Sequence, residues 1–203
     1  VSNKILIPDL NLKINKGELI AVLGETGSGK TNLITSIMGL NDKMSDGQIY
    51  VNGSLSYASQ IPFIINDTIK NNILFHKSYD DYKFKKVLEL CQLEKDISLL
   101  VGKEDTEIGP NGTNISGGQK ARINLARCVY SESDIYILDD PISSVDSYVS
   151  NLIFHLLIVD YLKNKTRIFV TNDIRNLAYF DRIIFNKKSI VIFTNLTYPR
   201  LNL

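Results

Sequence analysis

Cysteine is scarce, neither sign of charge dominates, and no long apolar run interrupts the chain; each absence removes a class of protein. The two cysteines, Cys91 and Cys128, lie far apart with no metal-ligand spacing, and Cys91 falls on the apolar stripe of a predicted helix. Both therefore read as core thiols of a reducing compartment rather than as a disulfide or a metal site. Lysine and arginine number 23 against 22 aspartates and glutamates, a net charge of +1. That balance gives no basic excess for nucleic acid and no acidic tail. No uninterrupted apolar run reaches membrane-spanning length and no basic and apolar leader opens the sequence, so the polypeptide by itself is expected to be soluble. Nothing repeats, and no stretch is of low complexity. The sequence begins at Val1 without an initiator methionine, and a domain cut from a longer chain is the expectation.

What is present is an ordinary globular composition, 44% hydrophobic and 22% charged over 203 residues, enough to bury a core in one large or two small domains. The stretch that organises the rest is Gly24 to Thr31, GETGSGKT, between the apolar run Glu18 to Leu23 and the helical run Asn32 to Leu40. It fits the pattern G-x-x-x-x-G-K-S/T without mismatch, in the strand-before, helix-after context that the pattern requires. Gly24, Gly27 and Gly29 let successive backbone N–H groups converge on phosphate oxygens at the positive end of the following helix. Lys30 adds a charge that reaches the outer phosphates, and Thr31 offers a hydroxyl to Mg²⁺, which keeps most of its water and takes few protein ligands. The plain structural alternative is a Gly-rich turn with a solvated lysine.

Upstream, Leu10, Leu12 and Ile14 alternate with polar residues and read as a half-buried strand before the Asn15-Lys16-Gly17 turn. Downstream, turns at Ser45-Asp46-Gly47 and Asn52-Gly53 bound short strands Gln48 to Val51 and Ser54 to Ala58, the second turn carrying a hairpin signal. From Asp67 to Cys91 the pattern becomes helical, with Ser78 and Asp81 as a capping pair and Phe84, Val87, Leu88 and Cys91 as the apolar stripe. A short helix over Glu94 to Val101 follows, so this block reads as a helical insertion in an alternating α/β chain.

Ser116-Gly117-Gly118-Gln119 opens a further helix running to about Tyr130. Ser116 and Gln119 make a capping box, which by itself accounts for both. It leaves unexplained two adjacent glycines in a first helical turn, each costing about 1 kcal/mol relative to Ala; bare backbone there suits an arriving anion. Asp134 to Asp140, DIYILDD, reads as a buried parallel strand ending in two carboxylates, at the end where α/β sheets bind ligands. Asp139 is the candidate Mg²⁺ ligand and Asp140 the candidate to orient an attacking water. Val149, Leu152, Ile153 and Leu156 give an amphipathic helix with His155 off its stripe, as a solvated surface histidine. Arg167 to Thr171 reads as another buried strand, and Arg182 to Phe185 with Ser189 to Phe193 as a terminal hairpin.

Together these residues resemble the nucleotide-binding domain of ABC transporters over nearly the whole chain. Gly24 to Thr31 stands as the Walker A loop, Gln60 as the Q-loop glutamine, Ile115 to Gln119 as the signature motif, Ile135 to Asp140 as the Walker B strand and Ser143 to Asp146 as the D-loop. The wording around Asp67 to Ile73 and Asp139 to Asp146 is similar to the first nucleotide-binding domain of the C subfamily, which holds the multidrug-resistance-associated proteins and the cystic fibrosis chloride channel.

The resemblance implies a single domain over 1–203 with a P-loop NTPase-type α/β core, an antiparallel β edge and a helical subdomain at about 60–130. It implies ATP and Mg²⁺ as cofactors: Gly24, Glu25, Thr26, Gly27, Ser28, Gly29, Lys30, Thr31 and Asn32 hold the nucleotide, and Thr31, Gln60 and Asp139 the metal. Ser116, Gly117, Gly118 and Gln119 would meet the nucleotide of a second such domain in a head-to-tail dimer. Gln60 and the helical block would face the transporter's membrane domains, on the cytoplasmic side of the membrane.

Three departures qualify this. The residue after the Walker B aspartate is usually glutamate and here is Asp140; the histidine expected after the strand Arg167 to Thr171 is Asn172; and an adenine-stacking aromatic lies either upstream of Val1 or nowhere. A catalytic group misplaced by about 1 Å can cost on the order of 10²-fold in rate, and Asn172 cannot act as an acid or base. The implied function is an ATPase weak at its own site and competent in activating its partner's. The alternative is a regulatory ATP-binding module or gate without meaningful turnover. A soluble ABC ATPase of translation or DNA repair would need long insertions between Gln60 and Ser116, which are absent.

Overall fold

The computed structural model describes residues 10–25, 27–40, 47–112, 114–187 and 190–195. Strand β1 (Leu19–Leu23) runs into helix α1 (Lys30–Ile37), and β2 (Leu55–Ala58) is followed by α2 (Ile69–Leu74), α3 (Asp81–Leu90), α4 (Glu94–Ser98) and α5 (Gly117–Tyr130). Then come β3 (Ile135–Asp139), α6 (Ser147–Ile153), β4 (Thr166–Val170), β5 (Arg182–Lys187) and β6 (Ile190–Asn195). The strands form one sheet in the order β2-β3-β4-β1-β5-β6. The pairings from β2 through β5 are parallel, and β6 returns antiparallel to β5.

Alternation along the central strands divides the core between the two faces of the sheet. Leu19, Ala21 and Leu23 enter the larger cluster with the apolar faces of α2, α3, α5 and α6. Ile20 and Val22 join Ile137, Ile168 and Val170 in the smaller cluster under Leu33 and Ile34 of α1. Both faces of β1 are thus buried, which is why its sequence reads as an unbroken apolar run. No helix among the described residues is long and apolar enough to cross a membrane.

Several expectations change. Leu10, Leu12 and Ile14 do pack against the smaller cluster, so their alternation is real, but they belong to no strand. Nor does 48–51 form one, and Asn52-Gly53 is not a hairpin turn: β2 pairs in parallel with β3. Gly53 has φ 122°, and a Cβ there would meet Cβ of Asp134 at 2.9 Å. Its bare backbone lets Ser54 donate its N–H and hydroxyl to the Asp134 carboxylate at 3.0 and 2.8 Å, starting the β2–β3 register. The N-cap of α3 is Asp80, accepting from the Lys83 N–H; Ser78 is no cap, and its carbonyl accepts from the Tyr130 hydroxyl at 2.7 Å. Helix α4 stops at Ser98 rather than Val101.

After Ile153 the chain widens into a π-helical stretch, Phe154–Tyr161. The wider turn shifts the period, burying Phe154, Leu157 and Ile158 while Leu156 is exposed. His155 is consequently not a solvated surface residue; it is half-buried, its ring 4.7 Å from that of Tyr179. Ser45 and Asp46, like Thr26 and Ser189, lie outside the described residues.

Polar groups as well as its core hold the helical block together. Asn72, fully buried, donates to the carbonyls of Ile65 and Thr68 at 3.0 and 2.9 Å and accepts from the Ile65 N–H at 3.0 Å. Arg127 of α5 donates to the Asn72 side chain at 2.9 Å and to the Phe63 carbonyl at 2.6 Å. Asn72→Ala should therefore cost about 2–4 kcal/mol, because it strands several buried partners at once. Urea unfolding measures it, and a loss under about 1 kcal/mol would mean that water replaces these bonds.

Candidate functional site

The C-terminal ends of parallel strands open at one edge of the sheet, and there the candidate residues converge. A cleft of about 310 Å³ is lined by Gly27, Gly29, Lys30, Thr31 and Asn32 from the loop and first turn after β1, and by Gln60 beyond β2. Asp139 and Asp140 end β3, and Val170, Thr171 and Asn172 end β4, completing the lining. Residues far apart in sequence meet because parallel strands present their same ends together, the usual place for a ligand crevice in such sheets.

Gly29 is the N-cap of α1, with φ 98° and no side-chain hydrogen bond. Glycine supplies that left-handed conformation without strain, and the missing side chain leaves the helix start facing the cleft. Inside the loop, the Ser28 hydroxyl is buried and has no partner. A buried donor without an acceptor is costly, and an anion oxygen in the cradle would relieve it. Lys30 folds back on the loop, donating to the carbonyls of Gly24 and Glu25. Gly24 and Glu25 lead into the cradle; Thr31, Gln60 and Asn172 are exposed at its mouth.

The carboxylates occupy unlike positions. Asp139 is 4% exposed; burial pushes its carboxyl above the ordinary carboxylate range, Asp140 adds to that, and the Tyr57 hydroxyl and Lys30 oppose it. Tyr57 donates to Asp139 Oδ2 at 3.3 Å, and burial with the Asp139 charge pushes the phenol up to about 12. Asp140 has φ 48°, a left-handed conformation that aspartate adopts more readily than most residues. Its N–H donates to the Val170 carbonyl at 3.0 Å, tying β3 to β4 just below the cleft. Burial raises its pKa first, and nearby Asp173 adds to the rise; Asp173 is itself paired with Arg175.

These donors fit a metal–polyphosphate. Among the described residues no group of three or more acidic, histidine or cysteine side chains could hold a metal alone, but Mg²⁺ asks for only one or two carboxylates beside phosphate oxygens and water. Thr31, Gln60 and Asp139 line one cleft with the cradle and supply oxygens for that role.

Ser116 to Gln119 are not among the residues lining this cleft. The capping box is formed: Ser116 accepts from the Gln119 N–H at 3.2 Å, and the Gln119 side chain accepts from the Ser116 N–H at 2.9 Å. The two glycines have different surroundings. A Cβ on Gly118 would lie 3.1 Å from the Ser144 carbonyl oxygen, whereas one on Gly117 would meet nothing within 4 Å. Asp96 of α4 steadies this turn, accepting from Gln119 Nε2 at 2.8 Å and pairing with Arg122 at 2.8 Å. Sequence reasoning did not find Tyr57 or Asp96; neither lies in a motif, and the signal for Tyr57 is only an aromatic on the strand beside the acidic one.

Cys91 and Cys128 are free and fully buried; burial pushes the Cys91 thiol up, and that of Cys128 up to about 12. Both are inert core groups.

The family model described as ABC transporter matches residues 7–143. The chain is 47% identical over 193 residues, 94% of its length, to "ABC transporter C family member 8" of Dictyostelium discoideum. It is 44% identical over 188 residues, 92% of its length, to "ATP-binding cassette sub-family C member 2" of Mus musculus. In each case it spans 12% of the relative's length.

The glycine geometry makes a testable distinction. Gly117→Ala should be neutral or raise stability by up to about 1 kcal/mol, while Gly118→Ala should lower it by about 1–3 kcal/mol through the Ser144 contact. Thermal unfolding of the two variants tests the contrast, and equal effects would show that the Ser144 segment yields freely.

Proposed function

The chain belongs to the ABC transporter family, as a nucleotide-binding domain of its C subfamily, and on that premise we propose that it binds ATP with Mg²⁺ and, by closing on a second such domain, powers or gates transmembrane transport. The observation that carries this is the convergence of Gly27, Gly29, Lys30, Thr31, Asn32, Gln60, Asp139, Asp140 and Asn172 on one cleft. Backbone N–H groups of Gly24 to Asn32 and the charge of Lys30 hold the phosphates, with the Ser28 hydroxyl gaining the acceptor it lacks. Thr31, Gln60 and Asp139 hold the metal, which supplies charge neutralisation along the phosphates.

Residues 1–203 act as one ATP-binding domain, with about 60–130 as its helical subdomain and the β5–β6 pair as its antiparallel edge. It is the first of two such domains in its transporter and does not bind nucleic acid. The Ser116 to Gln119 turn, outside its own cleft and open at Gly117, serves the nucleotide of a partner domain in a head-to-tail dimer. Transmembrane domains of the same transporter dock beside Gln60, where Ile61 is 83%, Phe63 57% and Phe75 40% exposed, so that the domain works on the cytoplasmic face of the membrane. Apolar side chains so exposed beside a site mark an interaction surface.

Its own site hydrolyses weakly. Asp140 is one methylene shorter than the usual glutamate, and Asn172 can hydrogen-bond without carrying charge.

Lys30→Ala should abolish measurable ATP binding in calorimetry while leaving the circular dichroism of the fold unchanged. A folded variant with wild-type affinity would remove the cradle from this reading. Restoring the usual pair, Asp140→Glu with Asn172→His, should raise single-turnover hydrolysis more than the sum of the single changes, since groups that act as a unit are non-additive. The assay needs a partner domain with an intact signature, and ATP affinity should barely move. A double variant that binds ATP, closes and gains nothing would favour the regulatory module without turnover.

A further inference from the structure

We propose that Tyr57 is a positioning residue for the metal site: its phenol fixes the Asp139 carboxylate toward the Mg²⁺ of a bound metal–nucleotide complex. The proposal rests on the nucleotide reading above and adds to it a residue outside every motif of the sequence. Tyr57 lies opposite Ile137 in the parallel β2–β3 register, so Asp139 is its diagonal neighbour two residues on, and both side chains project from the same face. The ring packs against the smaller core cluster, which contains Ile137 and Val170. Its hydroxyl is thereby delivered to Asp139 Oδ2, at 3.3 Å. Among the described residues this is the hydrogen bond made to that carboxylate.

The arrangement matters because Asp139 has two charged neighbours of opposite sign. Asp140 repels it and Lys30 attracts it, and Lys30 is the group that must serve the phosphates. A phenol held by core packing is a neutral donor that neither competes for phosphate nor leaves the cluster. It anchors one carboxylate oxygen and leaves the other for the metal, as donors behind metal ligands commonly do. The plain alternative is a tyrosine whose half-buried hydroxyl has found any acceptor. That alternative makes the bond a matter of stability and leaves metal binding untouched.

The test uses the whole chain, wild type and Tyr57→Phe, titrated with ATP in excess Mg²⁺ and again in EDTA. The ratio of the two affinities measures what the metal adds. Tyr57→Phe keeps the ring and its packing, so affinity in EDTA should stay within about twofold, while the Mg²⁺-dependent gain should fall about tenfold. In an Asp139→Asn background the same change should do nothing further, since the interaction is already gone. Electron paramagnetic resonance of Mn²⁺ with ATP supplies a second readout, and Tyr57→Phe should weaken the protein-bound signal. An unchanged metal gain, or equal loss with and without metal, overturns the positioning role while leaving the nucleotide reading intact. A wild-type chain that binds no ATP under either condition overturns both.

Discussion

Two adjacent carboxylates at the end of a buried strand are the constraint to which the rest of the site answers. Strand β3 sits between β2 and β4 with both faces covered, so Asp139 and Asp140 emerge where water is scarce and burial disfavours their charge. A buried charge must be paired, coordinated or neutralised. Lys30 is the nearby cation acting on both, and its ammonium is already engaged with the carbonyls of Gly24 and Glu25. One lysine cannot balance two carboxylates and a polyphosphate together. In the proposed function a divalent cation arriving with the phosphate resolves that imbalance: it neutralises the carboxylate side while the cradle and Lys30 meet the phosphate side.

The same strand end connects this cleft to the surface proposed for the partner domain. Beyond Asp140, the Ser143 hydroxyl donates back to the Asp140 carbonyl at 3.0 Å, and the next residue, Ser144, presents its carbonyl to the bare backbone of Gly118. From Gly118 the path enters α5, whose Arg127 reaches the segment after Gln60 through the Phe63 carbonyl. The cleft, the signature turn and the exposed apolar patch beside Gln60 are therefore linked by contacts across α5. Spatial continuity is not coupling, but it identifies the elements that must move together or break these bonds.

Local chemistry was readable in the sequence, and long-range pairing was not. The phosphate loop, the capping box at Ser116 and the acidic end of β3 announce themselves because each depends on residues a few positions apart. The segment Leu10 to Ile14 shows where that logic stops: its alternation identified the side that packs inward, yet no strand forms, since a ladder needs a partner that local pattern cannot name. Asn52-Gly53 failed for a related reason. Its glycine is required by Asp134, distant in sequence, rather than by a tight hairpin. Leu156 was misassigned because the helix widens after Ile153, and a period of 3.6 cannot foresee a π-turn. Asp96 and Tyr57 were invisible because each acts on a motif from outside it.

Binding and turnover make separate demands on such a site, and in the proposed function its residues meet them unequally. Holding a metal–nucleotide calls for donors and charge in fixed places, and in the proposed function Gly29, Ser28, Lys30 and Thr31 offer these at the start of α1 and Asp139 at the end of β3. Turnover calls in addition for a base that reaches a water and a group that follows developing charge on the phosphate. Asp140 has the shorter side chain, fixed to a left-handed backbone, with the Asp173–Arg175 pair beside it. Asn172 stands at the mouth, exposed and without charge. In the proposed function the free energy of nucleotide binding is accordingly available for domain closure, and the closed state persists for as long as hydrolysis at this cleft is slow.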